Sequence, residues 1–150
     1  MKVVIQRVSR ASVTIDQKVK SSIGKGMLVL LGVADGDTQE EAQWLAKKIA
    51  ALRIFDDSNG VMNENITTVG GEALVVSQFT LLASYKKGNR PSWIHAAEHA
   101  VSIPLYEYFC EQLSTLLGTK VQTGEFGADM KVELVNDGPV TICMDTNHKE

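Results

Sequence analysis

Strand-like patterns fill the first part of the chain. Residues 3–8 and 11–15 are rich in β-branched side chains, and apolar residues alternate with hydroxyl residues in the second segment. A turn signal at 24–26 leads into residues 27–33, which are apolar at every position except Gly32. A strand of this kind is covered on both faces, so the pattern predicts a layer on each side of the sheet.

A helical pattern follows the turn at 35–38. Thr38 and Glu41 have the spacing of a capping box, and the predicted helix ends near Ala51. Apolar residues recur on one face of this helix: Ala42, Leu45, Ile49 and Leu52. Residues 53–55 predict a short strand, and residues 73–76 predict a second apolar strand.

A second helical region is predicted from Pro91–Ser92 to about Leu117, before Gly118. Pro104 predicts a kink or a helix start within it. Its buried stripe is expected to be Leu105, Phe109, Leu113 and Leu116. The last strands are predicted at 131–135 and 140–144. Two helices for about eight strands indicate one layered α/β domain over residues 1–150.

Composition narrows the function classes. The formal net charge is −3, which excludes nucleic-acid binding driven by overall charge but not a local basic patch. No apolar run approaches the roughly 20 residues of a membrane span, and the N-terminus does not resemble a signal peptide, so we expect a soluble cytoplasmic protein. Cys110 and Cys143 lack a CxxC partner and are expected to be reduced, packed thiols. His95 and His99 would share a helix face, but no third ligand is near, so we expect no metal site.

Two polar segments interrupt the middle of the chain. Ser77–Thr80 follows a buried strand, and its polar groups either cap the strand end or form a polar site. In the next loop Lys86, Lys87 and Arg90 lie around Gly88. These cations belong either to a solvated loop or to a phosphate contact.

The segment Asn136–Pro139 lies between the last two predicted strands. Asp-Gly between strands is typical of a hairpin turn. Pro139, however, lacks the backbone donor that a returning strand would need, and an X-Pro bond readily adopts the cis form. The segment is therefore either a hairpin turn or a rigid backbone element. The sequence contains no GxSxG, P-loop or GxGxxG motif, so these patterns alone indicate no reaction.

Taken together, residues 77–81 (Ser-Gln-Phe-Thr-Leu) and 136–141 (Asn-Asp-Gly-Pro-Val-Thr) resemble the two signature motifs of the D-aminoacyl-tRNA deacylase family. The resemblance runs the length of the chain and includes residues 5–13, 28–33, 53–55, 88–92 and 123–130. Trp93 stands where the family often has phenylalanine, and Pro104 is a second departure. We expect neither residue to touch the site.

The resemblance implies a three-layer α/β/β fold and a homodimeric hydrolase that uses no metal or cofactor. The implied substrate is the ester that joins a D-amino acid to the 3′-terminal adenosine of tRNA, and glycyl-tRNA is also accepted. The products are the free amino acid and free tRNA.

The resemblance also implies a catalytic segment made of Ser77, Gln78, Phe79 and Thr80. An aminoacyl ester is intrinsically reactive, so we expect backbone N–H groups of residues 78–80 to stabilise the oxyanion while the Ser77 and Gln78 side chains orient the substrate. A threonine hydroxyl needs an activating base, and the sequence indicates none. We therefore expect Thr80 to position the substrate, while water attacks with help from the substrate's 2′-hydroxyl.

Chiral selection is assigned by the resemblance to Gly138–Pro139, with a cis peptide, supplied by the partner subunit. This element would crowd the position of an L side chain. Arg7 is expected to brace it, with Asn136 and Thr141 in supporting positions. Contacts to tRNA phosphates are expected from Lys86, Lys87 and Arg90.

Two other classes of function remain open. In the first, the chain is a dimeric binding module without catalysis, and Gly138–Pro139 is only a turn. In the second, Thr80 is the nucleophile of a hydrolase that acts on small esters or amides. Hydrolysis of D-tyrosyl-tRNA would exclude the first class. Activity on a small ester without the tRNA adenosine would favour the second.

Overall fold

The computed structural model describes all 150 residues, which form eight strands, two α-helices and a short 3-10 helix. The strands are β1 (Lys2–Ile15), β2 (Lys18–Ile23), β3 (Gly26–Gly32), β4 (Phe55–Asp56), β5 (Met62–Glu64), β6 (Glu72–Ser77), β7 (Gln122–Thr123) and β8 (Lys131–Asp145). The helices are α1 (Gln39–Ala51), α2 (His99–Leu117) and the 3-10 helix (Phe79–Leu82).

The long strand β1 organises the main sheet. Its first half pairs antiparallel with β3, its second half pairs with β2, and β8 pairs with both halves. On the other side of β3 lie the parallel strands β6 and β7. Strands β4 and β5 form a separate two-stranded sheet, so the predicted strand at 53–55 is wrong by about two residues: β4 begins at Phe55.

Apolar side chains on both faces of β3 and β6 create two cores. On one face, residues such as Val29 and Val75 join α1 and α2 in a cluster of 23 buried residues. On the other face, Leu28 and Leu74 join a cluster of 7 residues that includes Val13. This second cluster is covered by residues of β2 and β8. The arrangement confirms the predicted three-layer α/β/β fold, and it explains why the apolar strands show no alternation.

Helix α1 matches its local signals. The Thr38 N–H donates to the Glu41 carboxylate at 2.8 Å, and the Thr38 hydroxyl accepts from the Glu40 N–H at 3.2 Å, which completes the predicted capping box. The hydrogen bond from the Thr38 side chain, followed by that from its backbone, lowers the pKa of Glu41. The helix ends at Ala51 as predicted, because these signals depend only on neighbouring residues.

Helix α2 differs from the prediction at its start. It begins at His99 rather than at Pro91. The preceding chain is held instead by long-range bridges that pair Ser92 with Ser84 and Ala96 with Ala34. His95 lies before the helix, so it does not share a helix face with His99.

Two further details of α2 correct the sequence prediction. Pro104 lies inside the helix and does not start it. Leu116 is 42% exposed, whereas Leu117 is buried and continues the stripe of Leu105, Phe109 and Leu113. No helix in the structure combines the length and apolar character that crossing a membrane requires.

Candidate active site

The first signature segment is placed by a close approach between two backbones. Ser77 is the last residue of β6, and Gln78 turns the chain into the 3-10 helix. The Gln78 N–H donates to the Leu31 carbonyl at 2.7 Å. A Cβ atom on Gly32 would lie 2.4 Å from Leu82 Cδ2 and 2.9 Å from the backbone carbonyl oxygen of Gln78. The single glycine in the apolar run therefore lets the 3-10 helix pack directly on β3.

Ser77, Gln78 and Phe79 line a cavity of about 540 Å³. This cavity, which we call the site cavity, has walls from three parts of the chain. Helix α2 and the segment from Phe126 to Met130 supply most of the remaining lining, which includes His99, Ser102 and Tyr106. Sequence patterns did not indicate the α2 residues, because a helix face reveals its neighbour only after packing.

Aromatic contacts join the lining residues of α2 to Phe126. The Phe126 ring lies edge-to-face with His99 at 5.6 Å and with Tyr106 at 5.8 Å between centroids. The Tyr106 hydroxyl donates to the Val75 carbonyl at 2.8 Å. Burial raises the pKa of Tyr106 above its ordinary value, so this phenol stays neutral as a donor.

Ser102 is the one residue whose buried polar side-chain atom has no hydrogen-bond partner. It lies on α2 in the lining of the site cavity and is only 5% exposed. A buried hydroxyl without a partner costs about 1–3 kcal/mol of stability. This residue therefore marks a polar position in an otherwise apolar wall.

Thr80 is exposed and lies outside the lining of the site cavity. Its hydroxyl oxygen accepts a hydrogen bond from the Gln78 side-chain amide, and no histidine or carboxylate is bonded to it. The structure thus supplies no base that would activate the Thr80 hydroxyl. The Gln78 N–H, which donates to Leu31, is not available to an oxyanion, so the expected set of donors is wrong at this position.

The second signature segment forms a bulge within one strand. Gln6 of β1 pairs with Thr141 of β8, but Val8 pairs with Asn136, so residues 137–140 lie opposite the single residue Arg7. Both flanks of the bulge pair with the same strand, which excludes the hairpin interpretation. The Gly138–Pro139 peptide in this bulge is cis.

The Arg7 side chain connects the bulge to residues 54–56 through hydrogen bonds. Its Nε donates to the Asp137 carbonyl at 2.8 Å, and its Nη1 donates to the Ile54 carbonyl at 2.8 Å and to Asp56 Oδ1 at 3.2 Å. The side chain is almost fully buried, so these hydrogen bonds satisfy a guanidinium that has little access to water.

Asn136 and Thr141 close the base of the bulge. The Asn136 side chain accepts from the Val140 N–H at 3.0 Å and donates to the Thr141 hydroxyl at 3.1 Å. These bonds replace the strand pairing that the bulge interrupts.

Gly138 is required at its position. Its φ is +145°, and a Cβ atom there would lie 2.7 Å from the Val140 nitrogen and 2.8 Å from Val140 Cγ2. Gly138 and Pro139 are both exposed, and neither lines the site cavity of its own chain. Within one chain, the structure therefore does not bring the two signature segments together in one cavity.

Residues 85–91 form a basic loop, and backbone hydrogen bonds hold its two ends together. Ser84 and Ser92 exchange two backbone hydrogen bonds of 2.8 Å, and the three cations Lys86, Lys87 and Arg90 between them are exposed and form no salt bridge. Trp93 follows Ser92 directly, and its ring contacts the Phe79 ring with 5.1 Å between centroids. The expectation that Trp93 lies away from the site is therefore wrong.

The two thiols differ in environment. Cys110 is buried on α2, and burial raises its pKa to about 12. Cys143 is exposed on β8, which corrects the expectation that both are packed. No group of three or more histidine, cysteine, aspartate and glutamate side chains is arranged to hold a metal ion.

Known proteins resemble this chain over its whole length. A D-aminoacyl-tRNA deacylase of Phocaeicola vulgatus is 67% identical over 150 residues, and one of Flavobacterium psychrophilum is 61% identical, with all of both chains covered in each case. A solved structure described as c-Myc DNA unwinding element binding protein is 41% identical, with a TM-score of 0.91, covering 97% of this chain and 98% of the other.

A solved probable eukaryotic D-amino acid tRNA deacylase has a TM-score of 0.82, covering 95% of this chain and 97% of the other. At 17% identity this likeness concerns the fold alone. The family model of D-Tyr-tRNA(Tyr) deacylases matches residues 4–145. This range includes both signature segments and Arg7, which donates a hydrogen bond to the second segment. The chain therefore belongs to the D-Tyr-tRNA(Tyr) deacylase family.

Proposed function

We propose that this chain is a single-domain editing hydrolase that cleaves the ester of D-aminoacyl-tRNA and releases the D-amino acid and tRNA. The observation that carries the activity is the match to named D-aminoacyl-tRNA deacylases over all 150 residues. A cavity of about 540 Å³ lined by aromatic, small and amide side chains supports binding of an adenosine with its attached amino acid.

In the proposed reaction, Ser77 and Gln78 orient the ester at the mouth of the site cavity, where Phe79 forms one wall. Backbone N–H groups of Phe79 and Thr80 stabilise the developing oxyanion; one such donor is typically worth about 10²–10³ in rate. The oxygen of a water bonds to the carbonyl carbon, and the bond from that carbon to the ribose oxygen breaks. The attacking water loses a proton, and the substrate's 2′-hydroxyl relays a proton to the ribose oxygen that leaves. Thr80 positions the substrate.

Chiral selection is proposed to come from a second copy of the chain. The support is that Gly138–Pro139 is exposed, is firmly held by Arg7 and lies outside the site cavity of its own chain. In a homodimer, this bulge would enter the partner's cavity and exclude an L side chain by bulk. Glycine has no side chain, so glycyl-tRNA would pass the same filter.

No cofactor takes part in the proposed step, because water and the substrate's own hydroxyl supply the nucleophile and the proton path. Lys86, Lys87 and Arg90 are exposed cations on one loop, which supports contacts to phosphates of the tRNA acceptor end. Binding should therefore weaken as the salt concentration rises.

The activity is tested by incubating the purified protein with D-tyrosyl-tRNA, L-tyrosyl-tRNA and glycyl-tRNA and following the remaining ester. We expect rapid loss of the first and third substrates and survival of the second. Survival of all three would indicate a binding module. Equal loss of D- and L-tyrosyl-tRNA would contradict the proposed filter.

The contribution of a second subunit is tested by mixing two variants that are each expected to hydrolyse D-tyrosyl-tRNA poorly. Gly138→Ala impairs the bulge and leaves the cavity, whereas Gln78→Ala impairs the cavity and leaves the bulge. If the bulge acts on the partner, refolding an equal mixture restores roughly a quarter of the sites, because half of the dimers are mixed and each has one intact pair. No recovery from a mixture shown to contain mixed dimers would place the bulge in its own subunit's site instead.

A further inference from the structure

An exposed aromatic pair continues the wall of the site cavity outward. Phe79 lines the cavity and meets Trp93 edge-to-face, with an interplanar angle of 79°. Phe79 is 53% exposed and Trp93 is 40% exposed. Large aromatic side chains that stay exposed beside a binding cavity usually serve recognition rather than folding.

The backbone around Trp93 is fixed. On its N-terminal side, Ser92 and Ser84 exchange two hydrogen bonds of 2.8 Å. On its C-terminal side, the Ala96 N–H donates to the Trp93 carbonyl at 2.9 Å, and the His95 carbonyl accepts from Asp35 at 2.9 Å. The indole ring is therefore presented from a firmly held segment, which lowers the entropic cost of binding a flat ligand against it.

The chemistry next to this ring is cationic. The loop between the paired residues Ser84 and Ser92 carries three cations, Lys86, Lys87 and Arg90. None of them forms a salt bridge. Aromatic rings beside unpaired cations are the combination that binds single-stranded nucleic acid: bases stack on the rings and phosphates meet the cations.

We propose that Trp93 stacks on an unpaired base at the 3′ end of tRNA, adjacent to the terminal adenosine in the site cavity. This inference rests on the proposed function for the identity of the strand. Phe79 would contact the terminal nucleoside on its cavity side and support the Trp93 ring on its outer side. Trp93 would thus determine affinity for a polynucleotide, and not the chemistry of ester cleavage.

The test compares two substrates that carry the same ester. One is D-tyrosyl-tRNA, and the other is 3′-O-(D-tyrosyl)adenosine, which lacks every nucleotide but the last. Removal of one stacking ring costs about fivefold to 150-fold in affinity. For Trp93→Ala we expect KM for the tRNA substrate to rise within this range while kcat stays unchanged, with no change for the adenosine ester.

Two variants serve as controls. Trp93→Phe keeps a ring and should recover most of the affinity. Ile94→Ala removes an exposed neighbouring side chain that is not aromatic and should change neither substrate. An equal loss of Trp93→Ala on both substrates would mean that Trp93 acts only by holding Phe79, and an unchanged KM on both would also overturn the proposal.

A second measurement separates this inference from the proposed function. The chain has two tryptophans, Trp44 and Trp93. Titration with the trinucleotide CCA should quench fluorescence in the wild type and in Trp44→Phe but not in Trp93→Phe. If the protein hydrolyses no ester and this quenching still occurs, the proposed function fails and the stacking site stands. If it hydrolyses the ester and CCA does not quench Trp93, the stacking site fails alone.

Discussion

Arg7 donates from Nε to the Asp137 carbonyl at 2.8 Å, and this contact connects the first strand to the bulge that carries Gly138–Pro139. The same guanidinium reaches Ile54 and Asp56 through Nη1. One buried guanidinium group therefore joins three segments that lie far apart in sequence: β1, residues 54–56 and the bulge. Lysine has a single ammonium group and cannot reproduce this geometry.

Arg7→Lys should lower the free energy of unfolding by about 1–3 kcal/mol, because buried carbonyls lose their donors. It should also reduce hydrolysis of D-tyrosyl-tRNA, since the bulge loses its brace. The matched control is Arg10→Lys, which changes an exposed pair with Glu133 and should have almost no effect. Denaturant titration and deacylation assays measure both properties, and similar values for the two variants would refute the role of Arg7.

Gly138→Ala should destabilise the protein and impair D-aminoacyl ester hydrolysis, because its Cβ would collide with the Val140 nitrogen. Gly60→Ala is the control: Gly60 also has a positive φ, +74°, but its Cβ would meet nothing within 4 Å. That variant should lose about 1–2 kcal/mol from backbone strain and keep its kinetics. An active Gly138→Ala with unchanged chiral preference would remove the bulge from the mechanism.

Thr80→Val should retain measurable turnover, because the structure provides no base for a threonine nucleophile. Its kcat should fall moderately through loss of the contact with Gln78. Thr80→Ser, which keeps the hydroxyl, should lie near the wild type. Single-turnover assays on folded variants decide the matter, and complete inactivity of Thr80→Val would favour the covalent route.

Ser102→Ala should raise the stability of the protein by about 1 kcal/mol, because it removes a buried hydroxyl that has no partner. Ser114→Ala on the same helix should lower it, since Ser114 donates to the Cys110 carbonyl at 2.7 Å and accepts from the Val121 N–H at 3.0 Å. Thermal unfolding of the two variants gives the comparison. A destabilised Ser102→Ala would show that its hydroxyl has a partner in solution.

Thiol reagents should distinguish the two cysteines. At pH 8 we expect Cys143 to react and Cys110 to stay protected, because Cys110 is buried and its pKa is raised to about 12, far above the assay pH. In denaturant both should react. Cys143→Ser should abolish labelling of the native protein, and rapid native labelling of that variant would contradict the packing of α2.

Local signals were sufficient where an element depends on its own neighbours. The capping box of α1 lies within four residues. The apolar runs of β3 and β6 indicate that both faces of these strands are buried, and this holds whichever part of the chain covers them. The start of α2 was predicted wrongly because bridges from Ser92 and Ala96 to distant residues hold the preceding chain out of the helix.

The sequence alone supplied the two signature segments and, through them, the family. Only the tertiary structure decided that residues 137–140 form a bulge opposite Arg7 rather than a hairpin, that α2 completes the site cavity and that Trp93 meets Phe79. The physical reason is that strand pairing and side-chain packing join residues more than 100 positions apart, as between Arg7 and Asp137, and no local pattern records such a distance.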